Sequence, residues 1–227
     1  MPESVPPPIQ RWLQNCGAEV IVKPGTIELT QAGRMKTSPA QSRWMSFKAK
    51  QEFSIDPPAF SWHAVISMLP FLKIRGEDSF SRGKGRMNIK IAGIIPIVDA
   101  SGKEIDEGSM QRYLAEIVWL PWAAYSPYIK WDAIDDTHEL ARMDYNGTSG
   151  EGIFEVNDVG DVIGFTTMRF RKEGKQQVKY PWIIKNTEHS IMGGIRIPIK
   201  STVTWELAGG TFTWLELEVT AYQILPS

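Results

Sequence analysis

Polar and apolar residues alternate with a period of two over most of this chain, and the period lengthens to that of a helix in two places only. The alternation is plainest over residues 44–55, where Met45, Phe47, Ala49, Phe53 and Ile55 share one side and Lys48, Lys50, Glu52 and Ser54 the other. It recurs over 60–69, with Phe60, Trp62, Ala64, Ile66 and Met68 together, and over 71–81, where Leu72, Ile74 and Phe80 oppose Arg75, Glu77, Ser79 and Ser81. This is the pattern of antiparallel strands with one face buried. Residues 86–98 read as one further strand that becomes apolar on both faces towards its end. Strands are also predicted at 19–22, 26–30, 128–134, 137–145, 152–156, 162–171, 180–185, 194–206 and 211–224. The breaks fall at Pro24-Gly25, Ala32-Gly33, Asp56-Pro57-Pro58, 81–85, 99–102, 146–150, 157–161 and 207–210, all rich in turn-forming residues. Residues 172–179 read as a charged loop.

The first helical stretch is short. Pro6, Pro7 and Pro8 lead into residues 9–16, where Ile9, Trp12, Leu13 and Cys16 share a face, and Gly17 is a natural stop. Its expected role is a lid or strap on the sheet, with Cys16 an inert buried thiol. The second stretch is stronger. Asp106 reads as its N-cap and Ile105 as a hydrophobic staple, and Met110, Tyr113, Leu114, Ile117 and Val118 recur at helical spacing until Pro121 ends the run. Gln111, Arg112, Glu116 and Trp119 lie off that stripe, with Arg112 and Glu116 spaced to pair.

Roughly ten or more strands joined by short turns, with two helices, predict a mainly β chain. Residues 1–227 are expected to form a single domain: one antiparallel sheet curved into a half-barrel or barrel, its concave side closed by the central amphipathic helix. The chain of 227 residues is ample for a sizeable core, and nine tryptophans suit strands and apolar cavities. A net charge of −1 argues against nucleic acid or an anionic membrane as partner. No apolar run reaches the roughly 18 residues that a membrane helix needs, and no leader pattern opens the sequence. With one cysteine there is no intramolecular disulfide, so a cytoplasmic location is the expectation.

The three histidines, His63, His138 and His189, are far apart, and no metal-binding, nucleotide-binding or nucleophile-elbow motif occurs; neither metal nor cofactor is expected. The ionisable residues that remain are Arg112, Tyr113 and Glu116 on the helix, with Arg75, Asp78, Asp99 and Arg169 on strands. A buried Arg–Glu pair beside a tyrosine suits the orientation of a carboxylate or carbonyl, or proton exchange if burial raises the Glu pKa. The plainer reading is an intrahelical salt bridge beside a core tyrosine.

Several short runs resemble an uncharacterised bacterial family labelled DUF6544 or DUF6920. They are Ile74-Arg75-Gly76-x-Asp78, Gly83-x-Gly85-x-Met87-x-Ile89-x-Ile91, Pro96-x-x-Asp99-x-x-Gly102, and Arg112-Tyr113-Leu114-Ala115-Glu116-x-x-Trp119-x-Pro121. The resemblance continues through Trp131, Asp135, Phe154, Gly160, Gly194-Ile195-x-Ile197-Pro198, Trp205 and Gly209. It implies no established activity; the order of strands and helix is also similar to the curved half-barrels of lipoprotein carriers, which hold acyl chains.

Three functions fit these observations. The first is a binding protein that holds a hydrophobic small molecule or lipid in the concave face, with Arg112, Tyr113, Glu116, Trp119 and Arg75 around the ligand. The second is a cofactor-free isomerase, cyclase or hydrolase in the same cavity. There Glu116 or Asp99 is the acid or base, and Arg112 and Tyr113 stabilise an oxyanion. The third is a structural protein with a filled barrel. Trp119, a large apolar residue off the stripe, predicts that the helix is covered on more than one side and that Arg112 and Glu116 face the inside of the sheet.

Overall fold

Thirteen strands hydrogen-bond into one antiparallel sheet in the computed structural model, which describes residues 5–69, 72–91, 95–174 and 176–225, without the side chains of 95 and 96. The first six are β1 (Thr26–Met35), β2 (Met45–Ser54), β3 (Ala59–Leu69), β4 (Leu72–Ser81), β5 (Lys84–Ile91) and β6 (Ile95–Ala100). After the central helix come β7 (Ile129–Ala133), β8 (His138–Tyr145), β9 (Thr148–Val156), β10 (Val162–Glu173), β11 (Gln176–Met192), β12 (Ile195–Leu207) and β13 (Gly210–Leu225). The order across the sheet is β6-β5-β4-β3-β2-β1-β13-β12-β11-β10-β9-β8-β7, two meanders joined through β1 and β13. The sheet is curved and not closed, since β6 and β7 are its edges.

Helix α1 (Pro7–Cys16) ends at Gly17 in the left-handed conformation (φ +75°) and buries Ile9, Trp12, Leu13 and Cys16, the face its spacing predicts. Burial pushes the Cys16 thiol up to about 11, in keeping with an inert residue. Helix α2 (Lys103–Glu116) lies inside the curve and packs against both β5 and β9, so it spans the gap between the two arms of the sheet. Glycines permit the approach: a Cβ on Gly85 would fall 2.6 Å from the Ile105 carbonyl, and one on Gly150 would fall 3.2 Å from Gln111. The arms also touch directly, because the Thr148 hydroxyl donates to the Gly83 carbonyl at 2.7 Å. From Gly108 to Glu116 nearly the whole circumference of α2 is buried, so the apolar stripe is enclosed along with the rest. Two 3-10 turns, Ile117–Trp119 and Pro121–Tyr125, carry the chain on to β7.

Several elements differ from the sequence expectations. Residues 19–22 are no strand; a 3-10 turn, Ala18–Val20, stands there with Val20 and Val22 exposed. Ala32-Gly33 does not break β1, and Gly33 is needed because a Cβ would meet the Glu216 carbonyl of β13 at 2.1 Å. Within residues 86–98 two strands pair, Ile91 with Ile95 and Ile89 with Val98; residues 92–94 lie outside the described residues, as does Phe71. Apolar residues on both faces there mark a hairpin. Residues 172–179 are the tip of the β10–β11 hairpin, where backbone pairing carries charged side chains to Glu173 and from Gln176. Asp106 is not the N-cap of α2, which starts after Gly102; its carboxylate instead accepts from Lys84 Nζ and the Gly85 N–H, both at 2.9 Å.

A buried acid on β8 has no counterpart among the described residues. Glu139 on β8 is fully buried, and neither carboxyl oxygen has a partner among the described residues. Burial first, then Asp135 and Asp132, push its pKa from 4.5 up to about 6. The folded state therefore holds a proton that the unfolded chain releases earlier, and this contribution to stability is complete below the ordinary value and lost as pH rises through about 6. Glu139→Gln is expected to match the parent near pH 4 and exceed it by about 1–2 kcal/mol near pH 8. Urea titrations at the two pH values check this, and an unchanged difference between them would refute it.

Candidate functional site

The inner face of β2 to β5 is built in transverse rows. Phe53, Phe60 and Phe80 follow one another across β2, β3 and β4, each packed on the next, and Phe80 packs on Tyr113 of α2. The next row is Gln51, Trp62 and Asp78, followed by Ala49, Ala64, Gly76 and Ile89. Beyond these come Phe47, Ile66, Ile74 and Ile91. The polar row therefore marks a boundary. On one side the sheet is covered by helix. On the other, Met45, Phe47, Ala49, Ala64, Ile66 and Ile74 form a second apolar cluster, with Met35, Met68, Ile89, Ile91, Leu215 and Leu217 partly buried around it.

Arg112 occupies the boundary. Its Nε donates to Glu116 Oε1 at 2.9 Å and its Nη1 to Asp78 Oδ2 at 2.6 Å. Gln51 Nε2 donates to the other Glu116 oxygen at 2.7 Å, Gln31 Nε2 to Gln51 Oε1 at 3.2 Å, and the Trp62 indole to Gln31 Oε1 at 3.0 Å. The guanidinium also lies over the rings of Phe60 and Trp62, at 4.8 and 5.2 Å. The side chains of Arg112, Glu116 and Asp78 are 15%, 11% and 9% exposed, so the expectation that Arg112 and Glu116 face the inside of the sheet holds. Burial works against the charge on Arg112, but Glu116 and Asp78 more than offset it and raise its pKa. For Glu116 burial outweighs Arg112 and Gln51, and its carboxyl stands above the usual range.

The other candidates lie apart. Tyr113 is fully buried but turned away, its hydroxyl 3.1 Å from both the Ser54 carbonyl and the Tyr128 hydroxyl. Trp119 is a core residue whose indole donates to the Pro198 carbonyl at 2.9 Å. Arg75 is exposed on the outer face of β4, and Asp99 pairs with Arg86 on an exposed strand, 3.2 Å apart. The structure does not bring Tyr113, Trp119, Arg75 or Asp99 to the Arg112–Glu116 pair. It adds Gln31 and Gln51, which sequence reasoning passed over although each interrupts an apolar phase: Ile27, Leu29, Gln31 and Ala49, Gln51, Phe53.

Across the trough, β10 turns Phe165, Thr167, Arg169 and Arg171 inward. The Arg169 guanidinium stacks on the Trp182 ring at 4.7 Å and sits against α2, 3.1 Å from where a Cβ on Gly108 would stand. Burial pushes its pKa down to about 10, with Asp78 and Glu116 pulling back and Arg112 adding to the fall. Arg171 lies over Trp205 and Phe212, at 5.6 and 5.7 Å. Two surface clefts lie elsewhere: about 380 Å³ on the outer face by Glu77 and Arg86, and about 520 Å³ between Asp56, Trp122, Tyr128 and Tyr145.

A family model described as a family of unknown function, DUF6920, matches residues 3–223. Among solved structures, a DUF1329 family protein from Desulfovibrio piger ATCC 29098 is similar with a TM-score of 0.53 and 9% identity, over 96% of this chain and 91% of that one. A LolA superfamily protein from Nitrosomonas europaea is similar with a TM-score of 0.44 and 12% identity, over 96% and 94% of the two chains. No functionally curated protein matches. At such identities the DUF1329 likeness speaks to the fold alone.

Proposed function

The chain belongs to the DUF6920 family, and from that premise we propose that it binds a hydrophobic molecule, a lipid or another apolar compound, in the helix-free half of its concave face. The observation that carries the reading is the second apolar cluster. It lies on the inner face beyond the Gln51–Trp62–Asp78 row, ringed by partly buried methionine, isoleucine and leucine, and neither α1 nor α2 packs on it. The six central residues are already buried, so the gain comes from the partly exposed ring of Met35, Met68, Ile89, Ile91, Leu215 and Leu217 and from the ligand's own chain, at about 0.8 kcal/mol per buried methylene. Eight methylenes supply roughly 6 kcal/mol, which does little more than meet the cost of association, so a polar contact at one end decides the affinity.

The acid–base alternative, with Glu116 as catalyst, keeps one favourable observation, the raised Glu116 pKa. It lacks an assembled partner set, because Arg112 is already held by two carboxylates and Tyr113 faces away.

Ile89→Glu places a charge at the rim of the trough, whereas Val65→Glu places one on the outer face of the neighbouring sheet region, where Val65 is 40% exposed. Titration with a fluorescent acyl-chain probe is expected to show at least a tenfold weaker affinity for Ile89→Glu and an unchanged one for Val65→Glu. Equal binding by Ile89→Glu and the parent would place the ligand elsewhere.

A further inference from the structure

Three arginines reach the inner face, and they are treated differently. Arg112 is held by Glu116 and Asp78. Arg169 and Arg171 make neither a hydrogen bond nor an ion pair among the described residues, although each carries five N–H donors. The indole N–H of Trp182, on whose ring Arg169 lies, is buried and also lacks an acceptor. A buried indole N–H without an acceptor is rare. The two guanidinium groups are half-buried, and none of their nitrogens is both enclosed and unpartnered, so their donors open to the trough and are free to take an acceptor. The two arginines alternate on one strand and point to the same side as Phe165 and Thr167, so their donors face the trough together. Arg169 crosses it far enough to feel the charges of Asp78 and Glu116 without touching either. Neither guanidinium has engaged an acceptor among the described residues, and beside them runs an apolar surface continuous through Leu215 and Leu217, which pack against both clusters.

We propose that the ligand of the concave face is a single-chain amphiphile with an anionic head, carboxylate or phosphate, whose oxygens accept from Arg169 and Arg171 while its chain lies along the second apolar cluster. This rests on the binding function proposed above and adds the chemistry of the head. Planar guanidinium groups suit both heads, because two parallel N–H donors match two oxygens of either anion. The bare Oδ1 of Asp78 and the bare Oε1 of Gln111, whose amide donates to the Met168 carbonyl, are competing acceptors, and an Arg169 that merely swings onto one of them leaves the ligand's head unread.

The test is direct titration of the full chain, below the micelle concentration, with palmitate, hexadecyl phosphate, hexadecanol and acetate. The two long anions are expected to bind roughly tenfold to a hundredfold more tightly than hexadecanol, and acetate not at all. In Arg169→Gln/Arg171→Gln the anions are expected to fall to the affinity of hexadecanol, which itself is unchanged. Should the double variant not fold, the parent alone decides: added salt weakens the anions and leaves hexadecanol as it was. A preference confined to one of the two anions supports the proposal and names the head. Equal binding of anions and alcohol, or a preference that survives in the variant, overturns the anionic head and leaves the apolar site standing. Failure of hexadecanol and both anions to bind overturns the concave-face function itself.

Discussion

Arg112→Leu is expected to remove about 3–5 kcal/mol of stability at neutral pH, the largest effect of any single charged residue in the chain. The guanidinium is held by two carboxylates that are themselves about nine-tenths buried, and removing it leaves both without their counter-charge. The contrast is Arg34–Glu216, a well-formed ion pair at 2.6 Å on the exposed face, where substitution is expected to matter little because water screens both charges. The sign of the pH dependence follows. Burial already raises the Glu116 carboxyl against the pull of Arg112, so without Arg112 it takes up its proton at still higher pH than in the unfolded chain. The stability of the variant is then fullest below the ordinary carboxylate range and is lost as pH rises. Adding Asp78→Asn and Glu116→Gln to Arg112→Leu is expected to recover most of the deficit, since neither carboxylate is then left as a charge without its arginine. Urea unfolding of the single and triple variants settles it; a single variant within about 1 kcal/mol of the parent at pH 7 would sink the assignment.

Gly152→Ala is expected to be nearly as damaging for a reason with no charge in it. Gly152 lies on β9, and a Cβ there would stand 2.1 Å from Cζ of Phe165. That ring cannot retreat easily, being packed against Phe154 at 4.9 Å and Trp182 at 6.5 Å. Overpacking a fixed core of this kind costs about 3 kcal/mol, a fall in Tm of roughly 6–12 °C for a chain of this size. Gly209→Ala is the control: its Cβ would meet nothing within 4 Å, and a gain of about 0.4–1 kcal/mol is expected. Thermal melts of the two variants should move in opposite directions.

The fold was largely legible from the chain because β2, β3 and β4 each keep one face apolar, and that periodicity is what a curved sheet with one buried side requires. The elements that went unread are those that backbone pairing, not side-chain pattern, holds in place. The β10–β11 hairpin tip carries charge on both faces, and β1 runs through Gly33 without a break because β13 needs the space of a missing side chain. The site was half legible. Arg112 and Glu116 declared themselves by helical spacing, and Asp78 by its charge. Gln31 and Gln51 were visible only as polar residues out of phase in otherwise apolar rows, a sign that gains meaning once neighbouring strands are in register. Which way Tyr113 and Trp119 would turn was not in the spacing at all, since α2 is enclosed on every side and each direction offers an apolar neighbour.

The meeting of β1 with β13 has a bearing on how the molecule comes to exist. Thr26 lies opposite Leu225, so the strand made first and the strand made last are partners at the middle of the sheet. During synthesis the amino-terminal meander must wait, with one side of β1 bare, until β13 has been made and released. Loop closure over such a distance is slow, and an unpaired strand in the interval is an invitation to pair with another molecule. Folding of the sheet is thus sealed at its centre by the thirteenth strand, and loss of that strand would uncover the middle of the sheet.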